Sequence, residues 1–274
     1  MNPPMSRPEG SMSSQITTVG DVEIDPSVEF GVGCVAGGPE GLSRVGASSK
    51  LGDYVRLRGG VRLGASSYVG NYVEIGHPSK AEVTGSDPSA LSPRVQDLLV
   101  NEATTTISEE ATIRSHSVIY LHVRAGHRLI TGHHVMIREH TTIGDRCVFG
   151  TYASCDGYTR LGNDVQVGQY AQLSQAARFG DGAFIGGHSV FSDNRMAIRD
   201  PDEDLYGAVI GNYVRLGLGC VVLPGVSVGD DAMVGAGSVI TRDIPASTLA
   251  VGNPCKPVRD LTEEEVQRYR NSIG

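Results

Sequence analysis

Six of the eight histidines crowd into the stretch from 116 to 140: His116, His122, His127, His133, His134 and His140. His188 stands further along the chain. An imidazole titrates at about 6.5, so such a group can take the proton of an acceptor ammonium near neutral pH. His122 and His127, five residues apart, also make a feasible zinc-ligand pair. Glu139 beside His140 can orient an imidazole or meet a neighbouring chain. The spacing of these rings is regular. His116, His134, Tyr152, Tyr170 and His188 follow one another at intervals of eighteen, as do His122, His140 and Tyr158. Rows of outward rings belong in a groove or a subunit interface more naturally than in open water.

An interval of eighteen is three sixes, and six is the period of the chain. From Ile107 every sixth residue through Ile113, Ile119, Ile137, Ile143, Phe149 and onward to Phe191 is apolar or small. Further blocks of the same period begin at Ile16, Val45 and Ile210. The fifth position stays small or β-branched, as at Ala111, Ser117, Val123, Val135 and Thr141, with Leu129 the large exception. Glycine follows position one at 126, 132, 144, 150, 162, 168, 180 and 186, which suits a corner of positive φ. One six-residue unit cannot close a core, but stacked copies bury one apolar column. The expected class is all-β, a parallel β-helix of about ten coils, with three strands to a coil and a length of ~50 Å. Positions one and five then point inward, while three and four project, which brings His133 and His134 to the surface.

The period fails over Ala81–Thr106 and again after Phe191, so two external loops are expected, 81–106 and 192–209. Pro88, Pro93 and the cluster VQDLLV suggest a short helix within the first. Residues 1–15 read as a disordered lead-in, 16–259 as one β-helix domain, and 260–274 as a C-terminal helix that caps the open end, begun by the Thr262/Glu265 capping box. A net charge of −8 offers no footprint for nucleic acid or an anionic membrane. No segment approaches a membrane span. Five cysteines without a CxxC pair sit largely on repeat positions, as buried reduced thiols of a cytoplasmic protein would.

The repeat, the C-terminal run VVLPGVSVGDDAMVGAGSVITRDIPASTLAVGNPCKPV and the central TGHHVMIREHTTIGD resemble the left-handed β-helix hexapeptide-repeat acyltransferases, over nearly the whole chain after Ile16. ATIRSHSVIY, GHHVMIREHTTIGD and the FSDN after IGGHSV are similar to the members that transfer acetyl from acetyl-CoA to the amine of a nucleotide-linked amino sugar. The resemblance implies a left-handed coil, against the usual right-handed crossover. It implies a homotrimer with active sites between subunits, a small-molecule acceptor, acetyl-CoA as acyl donor and no metal. His133, at position three of its hexad, matches the general base, with His134 second; where the departing CoA sulfur takes the proton instead, both would position the sugar. Glu139, His140 and His188 would lie near the acceptor. Asp193 and Asn194 match an acceptor-binding Asn-Asp pair in exchanged order. Gly217, Gly219, Gly235, Ala236 and Gly237 would expose backbone to a pantetheine arm, and Arg215, Arg242, Lys256 and Arg259 would supply charge for the CoA phosphates.

Three other readings remain at this stage. An O-acetyltransferase would use the same chemistry on a hydroxyl, which needs a base more than an amine does. A zinc hydratase of the γ-carbonic-anhydrase kind shares the column and the trimer. A non-catalytic scaffold would gain no stability from acetyl-CoA.

Overall fold

Hexads of this kind fold as a three-sided column because positions one and five escape water only by pointing inward. Ile113, Ile119 and Ile137 at position one are fully buried, and so are Ala111, Val123 and even Leu129 at position five. The computed structural model describes residues 16–39, 41–85, 98–100, 104–195 and 205–273; the expected lead-in lies outside them. The chain winds a left-handed parallel β-helix whose faces are sheets of 11, 10 and 12 strands, which makes about ten coils. One turn runs from the first sheet at Val118–Tyr120 to the second at Arg124–Ala125 and the third at Ile130–Thr131, then returns to the first at Met136–Ile137. Register holds at eighteen residues, pairing Ile119 with Ile137, Ala125 with Ile143 and Thr131 with Phe149. A single core runs from Val28 to Cys255.

The glycines after position one do not supply the positive φ expected of them. The left-handed residue is position four, where His116, His122, His134, His140, Tyr152 and Tyr158 have φ between 49° and 63°. Position two needs glycine for space. A Cβ on Gly150 would lie 2.5 Å from the Gln169 amide nitrogen and 2.8 Å from the Gly168 carbonyl carbon, so adjacent coils could not close. A left-handed conformation costs an L-residue ~1–2 kcal/mol. Stacking of the side chain on its equivalent one coil away offsets part of that cost.

The three edges of the prism differ in what occupies positions three and four. Between the second and third sheets is an ionic edge, where Arg128 meets Glu110 at 2.8 Å and Arg146 meets Asp164 at 2.7 Å. There the position-three Asp or Asn accepts the amide of the coil before it: His127 N–H to Asp145, Asp145 N–H to Asn163 and Asn163 N–H to Asp181, all at 2.7–2.9 Å. Between the third and first sheets is a ring edge, carrying His134. Between the first and second is a covered edge, carrying His140.

The first interruption starts with a short helix, Lys80–Thr84, capped by a reciprocal Ser79/Glu82 box. VQDLLV is described only at its last three residues, Leu98 to Val100. After the last coil, Lys256–Asp260 turns back antiparallel to Thr248–Val251. The helix Glu263–Arg270 begins at the expected Thr262/Glu265 box. Its contacts are to the side of the column rather than over the end. Tyr269 donates its hydroxyl to the Gly182 carbonyl at 3.0 Å, and Arg270 grips Asp231 at 2.6 and 2.8 Å. The antiparallel strand carries the chain off the final coil before the helix starts, so the helix lies back along the ionic edge. Among the described residues no helix is long and apolar enough to cross a membrane.

Candidate functional site

On the ring edge the position-four side chains stack without a break from Tyr54 through Tyr72, His116, His134, Tyr152 and Tyr170 to His188, at centroid separations of 4.7–5.1 Å. About half of each Tyr surface faces water, as at Tyr152 (47% exposed). His133 sits beside this row at position three, with its side chain exposed and its amide donating to Thr151 Oγ1 at 3.3 Å. Its ring has no hydrogen-bond partner among the described residues. An accessible imidazole with a free nitrogen lone pair is what a general base requires.

Beyond His188 the row ends in two bare steps, Gly219 and Gly237, with φ of +67° and +70°, where an added Cβ would meet nothing within 4 Å. The position-three residues alongside are Gly187, Leu218 and Ala236, none of which can cap a neighbouring amide as Thr151 caps His133. Among the described residues the amides of these three donate no hydrogen bond. The ionic edge continues its caps through the same coils, with Asp181 N–H on Asn212 and Asn212 N–H on Asp230. The ring edge therefore carries N–H groups without an acceptor among the described residues beside the bare steps at 219 and 237, with Gly187 buried and the exposed Leu218 side chain leaning over it.

The covered edge has the opposite character. Glu139 and His140 are 5% and 9% exposed, because Leu98 to Val100 fold over them. Leu98 packs with Tyr158 and Ala176, and Leu99 and Leu205 flank the cluster, so segments from both interruptions meet here. Both Glu139 oxygens are held by Arg138, at 2.7 and 3.1 Å. His140 stacks on His122 at 4.6 Å and on Tyr158 at 4.9 Å, and its Nδ1 accepts the Val100 amide at 3.1 Å. Burial, with the His122 ring as a second cause, pushes the His140 pKa down to about 4. His140 is thus neutral with its lone pair engaged. His122 meets Glu82 at 2.9 Å. Asp193 accepts the Gln175 amide at 3.1 Å, and burial raises its carboxyl above the usual range.

The expected site residues therefore divide. His133, His134 and His188 share the ring edge, while Glu139, His140, Asp193 and Asn194 belong to the covered edge. The strand Val190–Phe191 lies between His188 on the ring edge and Asp193 on the covered edge. His122 and His127 fall on different edges with Arg124–Ala125 between them, which splits the zinc pair. On the donor side, Arg215, Gly217, Gly235 and Ala236 line one cavity of about 360 Å³ with Phe184, Met233 and Tyr269. Arg242 is exposed past the last strand of the first sheet, and Lys256 is exposed on the antiparallel strand. Arg259 is spent on Glu265, at 2.7 and 2.8 Å. Sequence reasoning missed Tyr54, Tyr72, Val100 and Tyr269. Only the first two carry a signal in the chain, one interval of eighteen that the interruption hides from His116.

Comparison with known proteins finds likeness over part of the chain. Residues 207–242 match the bacterial transferase hexapeptide (six repeats) model. A putative acetyltransferase of Schizosaccharomyces pombe is 51% identical over 55 residues, 20% of this chain and 27% of its own. The galactoside O-acetyltransferase of Escherichia coli is 42% identical over 60 residues, 22% of this chain and 30% of its own. The chain thus spans under a third of the length of these curated relatives. Among solved structures, PerB from Caulobacter crescentus, in complex with CoA and GDP-perosamine, aligns with a TM-score of 0.41 and 22% identity, covering 57% of this chain and 59% of that one. UDP-N-acetylglucosamine O-acyltransferase from Moraxella catarrhalis aligns over 92% of this chain and 75% of its own, with a TM-score of 0.40 and 20% identity. The segment that matches the hexapeptide transferase model lies on the last coils of the three-sheet column, where the six-residue period resumes after its second interruption.

Proposed function

We propose that the protein is an acyltransferase that moves the acetyl group of acetyl-CoA to the amine of a nucleotide-linked amino sugar. The observation that carries this reading is the uncapped ring edge, where the amides of Gly187, Leu218 and Ala236 stand beside the glycine steps at 219 and 237. A pantetheine arm, two amides on a slim chain, fits such a groove, and from there the thioester would extend past Tyr170 and Tyr152 toward His133, three coils from Gly187. The acceptor nitrogen attacks the carbonyl carbon. Collapse breaks the C–S bond and releases CoA. His133 takes the proton that the ammonium must lose, and His134, stacked between His116 and Tyr152, holds the edge beside it. Among the acceptor residues expected from the resemblance, His188 is on the ring edge beside this row, whereas Glu139 is paired with Arg138 and lies with Asp193 and Asn194 on the covered edge, where they would hold the loop that flanks the acceptor.

The assembly we infer is a homotrimer with sites between subunits. The sheets on either side of the ring edge present Val118, Met136 and Val190 on one face and Ile130, Val148 and Met233 on the other, while the second sheet presents Arg44, Arg62, Arg124 and Arg160. The apolar faces and exposed rings are those that gain by meeting another copy. All five cysteines are free and buried, in keeping with a cytoplasmic protein.

The test is release of free thiol from acetyl-CoA across a panel of nucleotide amino sugars and their hydroxyl counterparts. Turnover with an amino sugar supports the proposal. Turnover only with the hydroxyl sugars makes the protein an O-acetyltransferase, and no thiol release with any acceptor overturns the transferase reading.

A further inference from the structure

The covered edge is where the two interruptions of the column meet. Its left-handed row runs through His122, His140, Tyr158 and Ala176, and the last of these is the only one without a ring. Leu98 fills the step that Ala176 leaves, buried against it and Tyr158. Two residues on, Val100 is buried as well and donates its amide to His140 Nδ1 at 3.1 Å. Among the described residues that amide has no other acceptor, so removing the imidazole would strand a buried N–H. On the far side of His140 the His122 ring stacks at 4.6 Å and is itself held by Glu82 at 2.9 Å. The second interruption is anchored on the same step. Leu205 packs on the Leu98 cluster, and Gly207 lies so close that a Cβ on it would fall 2.0 Å from the Ala176 carbonyl carbon. Between them Tyr206 donates its amide to the Asp193 carbonyl and accepts the Gly225 amide, both at 2.8 Å, with the Arg195 guanidinium 4.0 Å from its ring centre.

We propose that Leu98–Val100 is a strap that positions the base of the second interruption, with His140 as its catch and Leu205 as the contact that passes the restraint to Tyr206 and Asp193. Energetic coupling needs a contiguous chain of packed or hydrogen-bonded groups, and each link of this one is a direct contact. His140 is thereby a positioning residue: it is 9% exposed and its Nδ1 is engaged, so it acts on the acceptor side through the strap and not by touching a ligand. The inference rests on the acceptor reading above, in which Asp193 and Asn194 hold the loop beside the amino sugar. It adds that this loop is set by a segment from the other interruption. The ring-edge groove assigned to the donor contains none of the residues in the path, so the strap should act on one substrate and not on the other.

The test is hydrogen exchange, read by mass spectrometry on the full chain, in His140→Leu, His140→Asn and Leu205→Ala, joined to steady-state kinetics with acetyl-CoA and the best amino-sugar acceptor of the thiol-release panel. H140L should exchange at least tenfold faster at the Val100 amide and also at the Tyr206 amide, which His140 does not touch. H140N keeps an acceptor for Val100 and should leave both amides protected. L205A should speed both, because coupling is reciprocal. The Asn163 amide, held by Asp181 on the ionic edge, should be unchanged throughout. In H140L and L205A the acceptor KM should rise at least fivefold while the KM for acetyl-CoA stays within twofold. Faster exchange at Val100 alone would show that the strap does not reach the second interruption, and no change at either amide would show that His140 is not its catch. Coupled exchange with an unchanged acceptor KM, or an equal rise in both KM values, would overturn the positioning role. Should H140L fail to fold, L205A, at a partly exposed residue, gives the same readouts. Each of these failures leaves the proposed transferase standing, whereas a wild type that turns over no amino sugar takes down that function and the strap's part in binding together.

Discussion

Lowering the pH from 7.5 to 5 should loosen the covered edge, and His140 is the reason. In the folded chain its pKa is pushed down to about 4, while in the unfolded chain it returns to 6.5. Between those values the unfolded state binds the extra proton and the folded state does not, so stability falls as pH falls through that window and is flat above it. The groups facing His140 are the His122 ring, the Glu82 carboxylate beyond it, the Tyr158 ring and the Val100 amide. Glu82 has a lowered pKa and loses its contribution only below the usual carboxylate range, outside the window. Integrated to pH 5 the His140 shift is worth ~2 kcal/mol, and screening by the neighbouring polar groups reduces it to ~1 kcal/mol. For a chain of this size that is a Tm lower by about 3 °C. His140→Asn retains an acceptor for the Val100 amide and cannot titrate in this range. Differential scanning calorimetry at fixed protein concentration should therefore show the drop between pH 7.5 and 5 in wild type and about 3 °C less of it in H140N. Equal drops in both proteins would refute the assignment of a neutral, buried His140.

Other consequences are as direct. Gly150→Ala forces a Cβ against the Gln169 and Gly168 backbone and should cost about 3 kcal/mol, whereas Gly219→Ala meets open space and bears only its left-handed φ, about 1 kcal/mol; equal losses in Tm would refute the division of roles between positions two and four. His133→Ala should lower kcat about 100-fold, and unchanged turnover would take the base assignment away from His133. Leu98→Ala empties a site 2% exposed between Tyr158 and Ala176, at a cost of about 2 kcal/mol, and should speed hydrogen exchange at the Val100 amide. Exchange at the wild-type rate would mean that Leu98 does not hold the segment down.

The column was legible because its two inward positions obey one rule repeated thirty times over, and burial tolerates no lapse in it. The stacked rings were legible for the same reason, since eighteen residues is one turn. What escaped was whatever departs from that turn. Tyr72 and His116 touch at 5.1 Å although 44 residues, not 18, separate their coils. The burial of Glu139 and His140 depends on Leu98 to Val100, a stretch with no period that could have announced where it lands. Nor does the chain announce that Tyr269, eighty-seven residues beyond Gly182, returns to donate to its carbonyl. Glycine misled in a different way. Its frequency at position two was visible, but a missing side chain serves either a left-handed φ or a close approach, and only the coil spacing decides between them.

That distinction bears on where the chemistry belongs. Inward positions are committed to the core, and on the ionic edge position three is committed too, because Asp145, Asn163, Asp181, Asn212 and Asp230 each hold an amide of the coil before them. On the covered edge the imidazole of His140 is committed to the Val100 amide, and its pKa of about 4 leaves it a weak base. Among the described residues the ring edge combines an imidazole with nothing to hold, at His133, and amides with nothing to cap them, at Gly187, Leu218 and Ala236. A proton acceptor at His133 and backbone donors three to five coils further along the same edge leave room between them for an extended acyl donor. If acetyl transfer is found to survive bulky substitutions at both Gly219 and Gly237, the donor does not travel along that edge, and the argument from uncommitted groups fails with it.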